Sequence, residues 1–428
     1  MTKARPASAG PTAEAALAQS RLSPARRVAF EILVLIEKGK GHCDELLHSP
    51  RTSELSESDR NLTTTLVMGV LRWQIALDAR LRSLLDRPEQ RLADEVALTL
   101  RIGAFQLLHL DRIPAHAALS ESVELTRAAG HPHATGMVNA VLRKLIAFPK
   151  PGQKLFETPA AFAERLGHPA WLAERWTTQF GRDAAIQICE ADQQEPTTGG
   201  LFLPEADLPQ IDDGSRLVAE LAALALPHIE DRPARVWDCC AAPGGKTLML
   251  ARRLPAVEIL ATDVSGKRLA RTERRARKHP YAGKVQFRVE DACSLPQEDG
   301  LFDLILCDVP CSGTGTLARN PEIRLRLKPE ELTRQAERQR EILSAALARL
   351  APGGRLVYST CSLEPEENIA VLESAASRHR RVPLTNLVAS LAGLQVLPET
   401  LVRDGALRTL PGVNPCDGFY AVVLERER

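Results

Sequence analysis

Two cysteines in this sequence occupy settings suited to chemistry. Cys311 lies in "CDVPCSGTG" (307–315) and Cys361 in "YSTCSLEPEEN" (358–368). Each follows a short apolar run, "FDLILCD" (302–308) or "GRLVYSTC" (354–361), that reads as a β-strand, so each stands just past a strand's carboxyl end. A third segment, "DCCAAPGGKT" (238–247), follows the candidate strand "RVWDC" (235–239) and precedes a helical pattern. Its Gly244 and Gly245 permit a tight turn and close approach of backbone to a ligand. The segment is neither GxGxxG nor GxxxxGK[ST], which argues against a dinucleotide or P-loop reading. It fits a loop that presents a nucleotide-like cofactor to a helix N-terminus. Asp263 ends a second strand, where a carboxylate can accept from ribose hydroxyls, and Asp291 ends a third, within reach of an adenine amino group. Both stay open to a plainer use as helix caps, a common role of Asp after a strand.

Paired thiols beside such a cofactor point to one class of reaction. Carbon 5 of cytosine is a poor nucleophile. A thiolate that adds to carbon 6 makes carbon 5 enamine-like, so that it can attack a methyl sulfonium such as that of S-adenosylmethionine. The carbon 5 proton and the thiolate must then leave, and a second thiol can assist. Asp308, between strand and loop, can hydrogen-bond or protonate N3 of the base. A free thiol has a pKa of about 8.5, so a nucleophilic site should lower it. Cys239, Cys240, Cys293 and Cys307 read more simply as small buried residues.

These residues need a scaffold that brings strand ends together. From about Gly214 the pattern alternates strand and helix, with further strands at "EILATD" (258–263), "KVQFRVED" (284–291) and "GFYAVVLE" (418–425). That predicts a doubly wound α/β domain over 214–428, Rossmann-type, with chemistry beyond the strands' carboxyl ends. In a 3-2-1-4-5 order the fourth and fifth strands are neighbours, so Cys311 and Cys361 converge. Residues 23–150 read instead as an all-α bundle. "ARRVAFEILVLIEKG" puts Val28, Ile32, Leu33 and Ile36 on one helical stripe, with Ser23 as N-cap, Pro24 in the first turn and Gly39 at the end. "FPKPG" (148–152) signals a linker, residues 151–213 read as a helical linker with an irregular end, and residues 1–22 as a disordered Ala/Pro/Ser tail.

Composition excludes several classes. Of 428 residues, 44% are hydrophobic and 25% charged, as in ordinary soluble domains. A formal net charge of +1 means that any nucleic-acid surface must come from local clustering. Nine cysteines, an odd number without a CxxC pair, argue against a disulfide scaffold and a structural zinc site, and for a reducing compartment. With no apolar stretch of about 18 residues and no leader-like start, the expectation is a cytoplasmic monomer with neither membrane nor metal.

Taken together, "CAAPGGKT", "DVPCSGTG" and "STCSLEPEEN" resemble the Sun/Fmu (RsmB) family of RNA cytosine-5 methyltransferases. The resemblance implies S-adenosylmethionine as cofactor, Cys361 as nucleophile and Cys311 as promoter of release. It places Cys240, Ala241, Ala242, Pro243, Gly244, Gly245, Lys246, Asp263, Asp291 and Asp308 at cofactor- and base-contacting positions. "LRIGAFQLLHLDRIPAHAALSESVELTR" and "GMVNAVLRKL" resemble the NusB-like RNA-binding domain fused to that branch, which implies a cytosine of small-subunit (16S) ribosomal RNA as target. The helical domain could also serve only as a scaffold. The β-rich, RRM-like subdomain usual in the family is largely missing: only "TTGGLFLPEADLPQI" separates Pro196 from "DDGSRLVA" (212–219). After "DVPCSGTG", Ala318 and Leu325 replace residues typical of the family, while Arg319, Asn320 and Pro321 remain. Lys246, Arg268, Arg319, Asn320 and Arg324 are the expected RNA contacts. "KRLARTERRARK" (267–278), with seven basic residues against one Glu, is either a solvated helix face or part of an RNA path. Two other readings stand beside RNA methylation. DNA cytosine-5 methylation is disfavoured because DNA enzymes use the Pro-Cys cysteine and lack a paired Thr-Cys one. A non-catalytic assembly factor is disfavoured because both cysteines, Asp308 and the cofactor loop are intact.

Overall fold

The structure, a computed structural model, describes residues 22–148, 157–196, 199–376 and 379–427. The expected tail, Leu22 apart, and all of the expected linker beyond Phe148 and before 153 lie outside the described residues. The chain forms two compact units, Met1–Gln193 with Asn320–Leu325, and Gln194–Arg319 with Arg326–Arg428. Among the described residues, no helix is long and apolar enough to cross a membrane.

The first unit is helical. Its bundle comprises α1 (Pro24–Glu37), α2 (Glu57–Arg82), α3 (Asp94–His109), α4 (Ala115–Ala128) and α5 (Thr135–Ala147), with short helices at Cys43–Leu47 and Pro50–Ser53. The stripe Val28, Ile32, Leu33 and Ile36 is buried, and Leu22, expected in the tail, is buried with it. Ser23 is the N-cap residue of α1 but makes no capping hydrogen bond; its hydroxyl accepts from Arg26 at 2.9 Å and donates to Glu121 at 3.3 Å. Gly39 follows the helix with φ +67°, a conformation that suits glycine.

Two mid-helix glycines let the bundle close. A Cβ at Gly69 of α2 would run into the Phe105 ring of α3, and one at Gly103 of α3 would meet Leu142 and Ser122. We expect Gly69→Ala to destabilise the helical unit by about 1–3 kcal/mol, because overpacking outweighs alanine's better helix propensity of about 1 kcal/mol. Urea unfolding of the full chain checks this; an unchanged or raised midpoint contradicts it.

Three further helices, α6 (Pro159–Arg165), α7 (Ala170–Phe180) and α8 (Arg182–Ala191), were expected in a linker but belong to this unit. Phe162, Leu172 and Trp176 are fully buried. Gln193 Nε2 donates to the Arg72 carbonyl of α2 at 3.1 Å, and His168 Nε2 lies 3.2 Å from Asp192 Oδ2 in the interior.

The second unit holds the sheet: β1 (Arg235–Asp238), β2 (Glu258–Asp263), β3 (Val285–Val289), β4 (Phe302–Asp308), β5 (Leu350–Thr360), β6 (Arg380–Arg381), β7 (Val402–Arg403), β8 (Ala406–Arg408) and β9 (Tyr420–Glu425). Their order is β3-β2-β1-β4-β5-β9-β8-β7, with β6 also on β9. The strands β1 to β5 pair in parallel, while β9, β8 and β7 continue the sheet antiparallel. The expected 3-2-1-4-5 core is present. The helices α9 (Asp213–Ala225), α10 (Gly245–Arg253), α11 (Gly266–Ala276), α12 (Pro329–Ala348) and α13 (Ile369–Ala375) belong to the same unit. Strand β4 is buried along nearly its whole length, as its continuous apolar sequence requires. Strand order reverses between β1 and β4, where such sheets bind ligands. Where the family's β-rich subdomain would fall, Phe202 forms an isolated bridge with Leu394, and Glu205 forms ion pairs with Arg216, Arg252 and Arg253.

Candidate active site

The sheet places Asp308 and Ser359 in register on neighbouring strands, so the loops after β4 and β5 leave side by side. Their cysteines meet: Cys311 Sγ lies 3.4 Å from Cys361 Sγ. A hydrogen bond that the neutral Cys311 S–H makes to Cys361, together with burial, pushes the Cys311 thiol well above its ordinary pKa, so it stays a proton donor. Both cysteines are half-buried. Close backbone contact holds the loops together. Gly315 N–H donates to the Cys361 carbonyl at 2.9 Å, and Gly418 N–H to the Gly315 carbonyl at 2.7 Å. A Cβ at Gly315 would collide with Gly418 backbone.

Asp308 ends β4 beside this pair. Its Oδ2 lies 2.8 Å from Lys246 Nζ, and its Oδ1 accepts from Ser359 Oγ at 2.7 Å. Burial pulls the Lys246 pKa down, but Asp308 and Asp212 outweigh it, and the net direction is up. The Lys246 ammonium also lies 3.2 Å from Ser215 Oγ and 5.2 Å from the Phe419 ring centre.

A cleft of about 100 Å³ opens beside these groups, lined by Asp238, Asp308 and the loop from Cys240 to Lys246. A larger opening of about 530 Å³ in the helical unit is lined by acidic and basic residues such as Asp78, Arg82 and Arg101, so size alone does not choose the site. In the loop, Gly244 has φ +93°, and a Cβ there would run into Thr272. Gly245 opens α10, whose first N–H groups have no partners within the helix. Gln210, Ile211, Asp212, Ser215 and Arg275 also line the cleft, none of them expected from the sequence. Arg275 donates to the Gln210 carbonyl. Arg275 stands within the basic run 267–278, and Asp212 and Ser215 within "DDGSRLVA", where no spacing rule singles them out.

Asp263 and Asp291 do not line this cleft. Asp263 is buried and accepts from Ala242 N–H at 3.1 Å and Ser265 N–H at 2.8 Å. Asp291 is exposed and accepts from Cys293 N–H at 2.9 Å, as the N-cap of a short turn. Cys239 and Cys307 are buried as expected, whereas Cys293 is exposed because it follows that cap.

Among the expected RNA contacts, Arg324 is corrected. It is 2% exposed, and its guanidinium donates to the carbonyls of Arg72, Gly167 and Asp192 at 3.2–3.3 Å within the helical unit. Burial draws its pKa down to about 10. Arg319 Nε donates to Asp417 at 2.5 Å, and Arg268, exposed on α11, to the Ala242 carbonyl at 2.6 Å. Asn320 is half-buried and belongs to the first unit. Most basic residues of α11 are exposed, with Leu269, Thr272 and Ala276 on its buried face.

Asp238 gives the cleft a pH dependence. It is buried; Thr247 Oγ1 donates to its Oδ2 at 2.6 Å, and its Oδ1 has no side-chain hydrogen-bond partner among the described residues. Burial, reinforced by the charge of Asp308, pushes it up to about 7. The folded chain therefore holds a proton that the unfolded chain releases near pH 4, and this contribution to stability declines as pH rises from about 4 to 7. We expect Asp238→Asn to gain melting temperature relative to the parent across that window and to level off above it. A gap independent of pH contradicts the assignment.

The comparisons with known proteins agree with this geometry. Residues 223–425 match the family model "16S rRNA methyltransferase RsmB/F", and residues 23–147 match the NusB family. The ribosomal RNA small subunit methyltransferase B of Klebsiella pneumoniae is 31% identical over 92% of this chain and 96% of its own. That of Xanthomonas campestris is 31% identical over 97% and 99%. A probable one from Bacillus subtilis is 29% identical over 94% and 98%. The solved structure of PH0851 shares the fold, with TM-score 0.67 and 21% identity over 95% of this chain and 99% of that one. The N-terminal helices are thus a NusB domain, the mixed sheet is a Rossmann-like methyltransferase fold, and the chain belongs to the ribosomal RNA small subunit methyltransferase B family.

Proposed function

We propose that this protein methylates carbon 5 of a cytosine in small-subunit ribosomal RNA, with Cys361 as nucleophile and Cys311 assisting release. The observation that carries the reading is the 3.4 Å separation of the two sulfurs beside Asp308 and the glycine loop. In the cytoplasm, where ribosomal RNA is processed, both thiols stay reduced.

S-adenosylmethionine supplies an electrophilic methyl group. The cleft suits it: α10 presents N–H groups to its carboxylate, and Asp238, whose Oδ1 has no side-chain partner among the described residues, suits its amino group. Asp263 and Asp291 are assigned to the ribose and adenine, each in addition to the backbone bonds it already accepts. Cys361 gives up its thiol proton to water and its sulfur bonds to carbon 6, while N3 takes up a proton relayed from solvent through the Asp308 carboxyl, with the Lys246 ammonium beside it to offset the charge; N3 returns that proton when the carbon 6 bond breaks. Carbon 5 takes the methyl group, its proton leaves to water, and the Cys361–carbon 6 bond breaks. The departing sulfur is then a thiolate, and the Cys311 S–H is placed to donate to it. The exposed basic face of α11 neutralises RNA phosphates, Arg319 and Asn320 contact the substrate, and the target base must be unstacked to reach the sulfurs.

The test is incubation with small-subunit ribosomal RNA and methyl-labelled S-adenosylmethionine, followed by nucleoside analysis. Label in 5-methylcytidine supports the reading. Label in another nucleoside, or none in RNA, overturns it.

A further inference from the structure

We propose that Glu367 is a positioning residue that holds Cys311 against Cys361 for the release step, an inference that rests on the roles proposed above. Glu367 is fully buried. Its carboxylate accepts from Ser312 N–H at 2.8 Å, from Ser362 Oγ at 2.5 Å, from Gln339 Nε2 at 3.0 Å and from Ser312 Oγ. Ser312 and Ser362 directly follow the two cysteines, and their hydroxyl oxygens are 3.1 Å apart. One side chain therefore ties together the two loops that carry the sulfurs.

The placement is expensive. A buried carboxylate without a cation costs several kcal/mol unless its lone pairs are met by donors. Here four neutral donors meet it, and only a carboxylate accepts at both oxygens. An apolar contact would join the loops more cheaply but would leave the register of the cysteines free.

The clamp acts unequally on the two sulfurs. Cys361 stands directly on the end of β5, where Thr360 Oγ1 donates to Asn368 at 2.6 Å. Cys311 lies in a loop beyond the end of β4. Its neighbours on both sides are held by the same pair: Gln339 Nε2 donates to the Pro310 carbonyl at 2.9 Å as well as to Glu367, which in turn receives Ser312 N–H. Loss of the carboxylate frees Cys311 more than Cys361.

Glu367→Gln places an NH₂ among donors, while Glu367→Asp keeps two acceptors on a shorter arm. Two readouts apply. The first needs neither RNA nor cofactor. A diazenedicarboxamide oxidant converts two thiols to a disulfide, taking up both hydrogens to become the hydrazine, and peptide mass analysis follows the Cys311–Cys361 product. We expect this bond to form at least tenfold more slowly in Glu367→Gln than in the parent, with Glu367→Asp between them and alkylation of exposed Cys293 unchanged. The second readout is the reaction with RNA. The first methyl transfer should stay within about threefold of the parent, while later turnovers fall tenfold or more and covalent protein–RNA species accumulate. An equal loss in both phases indicates a merely structural role and overturns the proposal, as does an unchanged disulfide rate. If Glu367→Gln does not fold, Ser312→Ala removes one hydroxyl donor of the clamp with its acceptor intact; slower cross-linking supports the proposal and a parental rate overturns it. A parent that methylates no cytosine defeats the functional reading, while the oxidation rates still decide whether Glu367 sets the sulfur spacing.

Discussion

Cys361→Ala is expected to abolish both methyl transfer to RNA and the covalent protein–RNA species. Carbon 5 of an intact cytosine has little nucleophilicity, and only addition at carbon 6 turns it into an enamine-like centre. No other half-exposed sulfur among the described residues stands at the end of β5 to take over. Cys311 sits close by, but its thiol is held protonated by Cys361 and by burial. The fall in turnover should be at least about a thousandfold, equivalent to about 4 kcal/mol of transition-state stabilisation. Denaturing electrophoresis with labelled RNA, together with methyl incorporation, measures both quantities. A variant that retains the slow-migrating species places the nucleophile elsewhere, with Cys311 the first alternative, as in the DNA cytosine-5 methyltransferases.

The meeting of the two cysteines was readable in the sequence because its signals are local. Cys311, Cys361 and Asp308 each follow a strand signal within a few residues, and a 3-2-1-4-5 order brings those strand ends together. The glycine loop was readable for the same reason: at Gly244 the backbone turns with positive φ and a side chain would run into Thr272. What failed to show depends on contacts distant in sequence. Arg324 looked like one more basic residue near the Cys311 loop. Its partners are the carbonyls of Arg72, Gly167 and Asp192, which no spacing rule connects to it. Glu367 was visible only as one Glu in "EPEEN"; nothing linear says that it reaches Ser312 and Gln339. Arg275 was lost in a run whose other basic residues face solvent. The helices α6 to α8 read as linker because each is short; the contacts that tie their segment to the helical unit, Gln193 to the Arg72 carbonyl and Arg324 to the carbonyls of Arg72, Gly167 and Asp192, are distant in sequence.

Cys311→Ala is expected to do the opposite of Cys361→Ala: the first methyl transfer persists and the covalent species accumulates. In the proposed sequence the sulfur of Cys361 must depart as a thiolate within a half-buried site, where an unsatisfied charge is costly. The Cys311 thiol, 3.4 Å away and pushed well above its ordinary pKa, keeps its proton and can donate it in a hydrogen bond to the leaving sulfur. A hydrogen bond to a charged group contributes about 1.5–3 kcal/mol, so its removal should slow release by about 10- to 100-fold. Addition at carbon 6 and methyl transfer do not need that donor once Cys361 is free to react. Single-turnover methylation should therefore remain near the parental rate while multiple turnover collapses, and the trapped protein–RNA species should carry the methyl group. Nuclease digestion and mass analysis of the peptide around Cys361 would identify the attached methylated nucleotide. An adduct without the methyl group moves the block to an earlier step and assigns Cys311 to methyl transfer rather than release. Free turnover in Cys311→Ala removes the second sulfur from the reaction altogether and leaves its closeness to Cys361 without a chemical purpose.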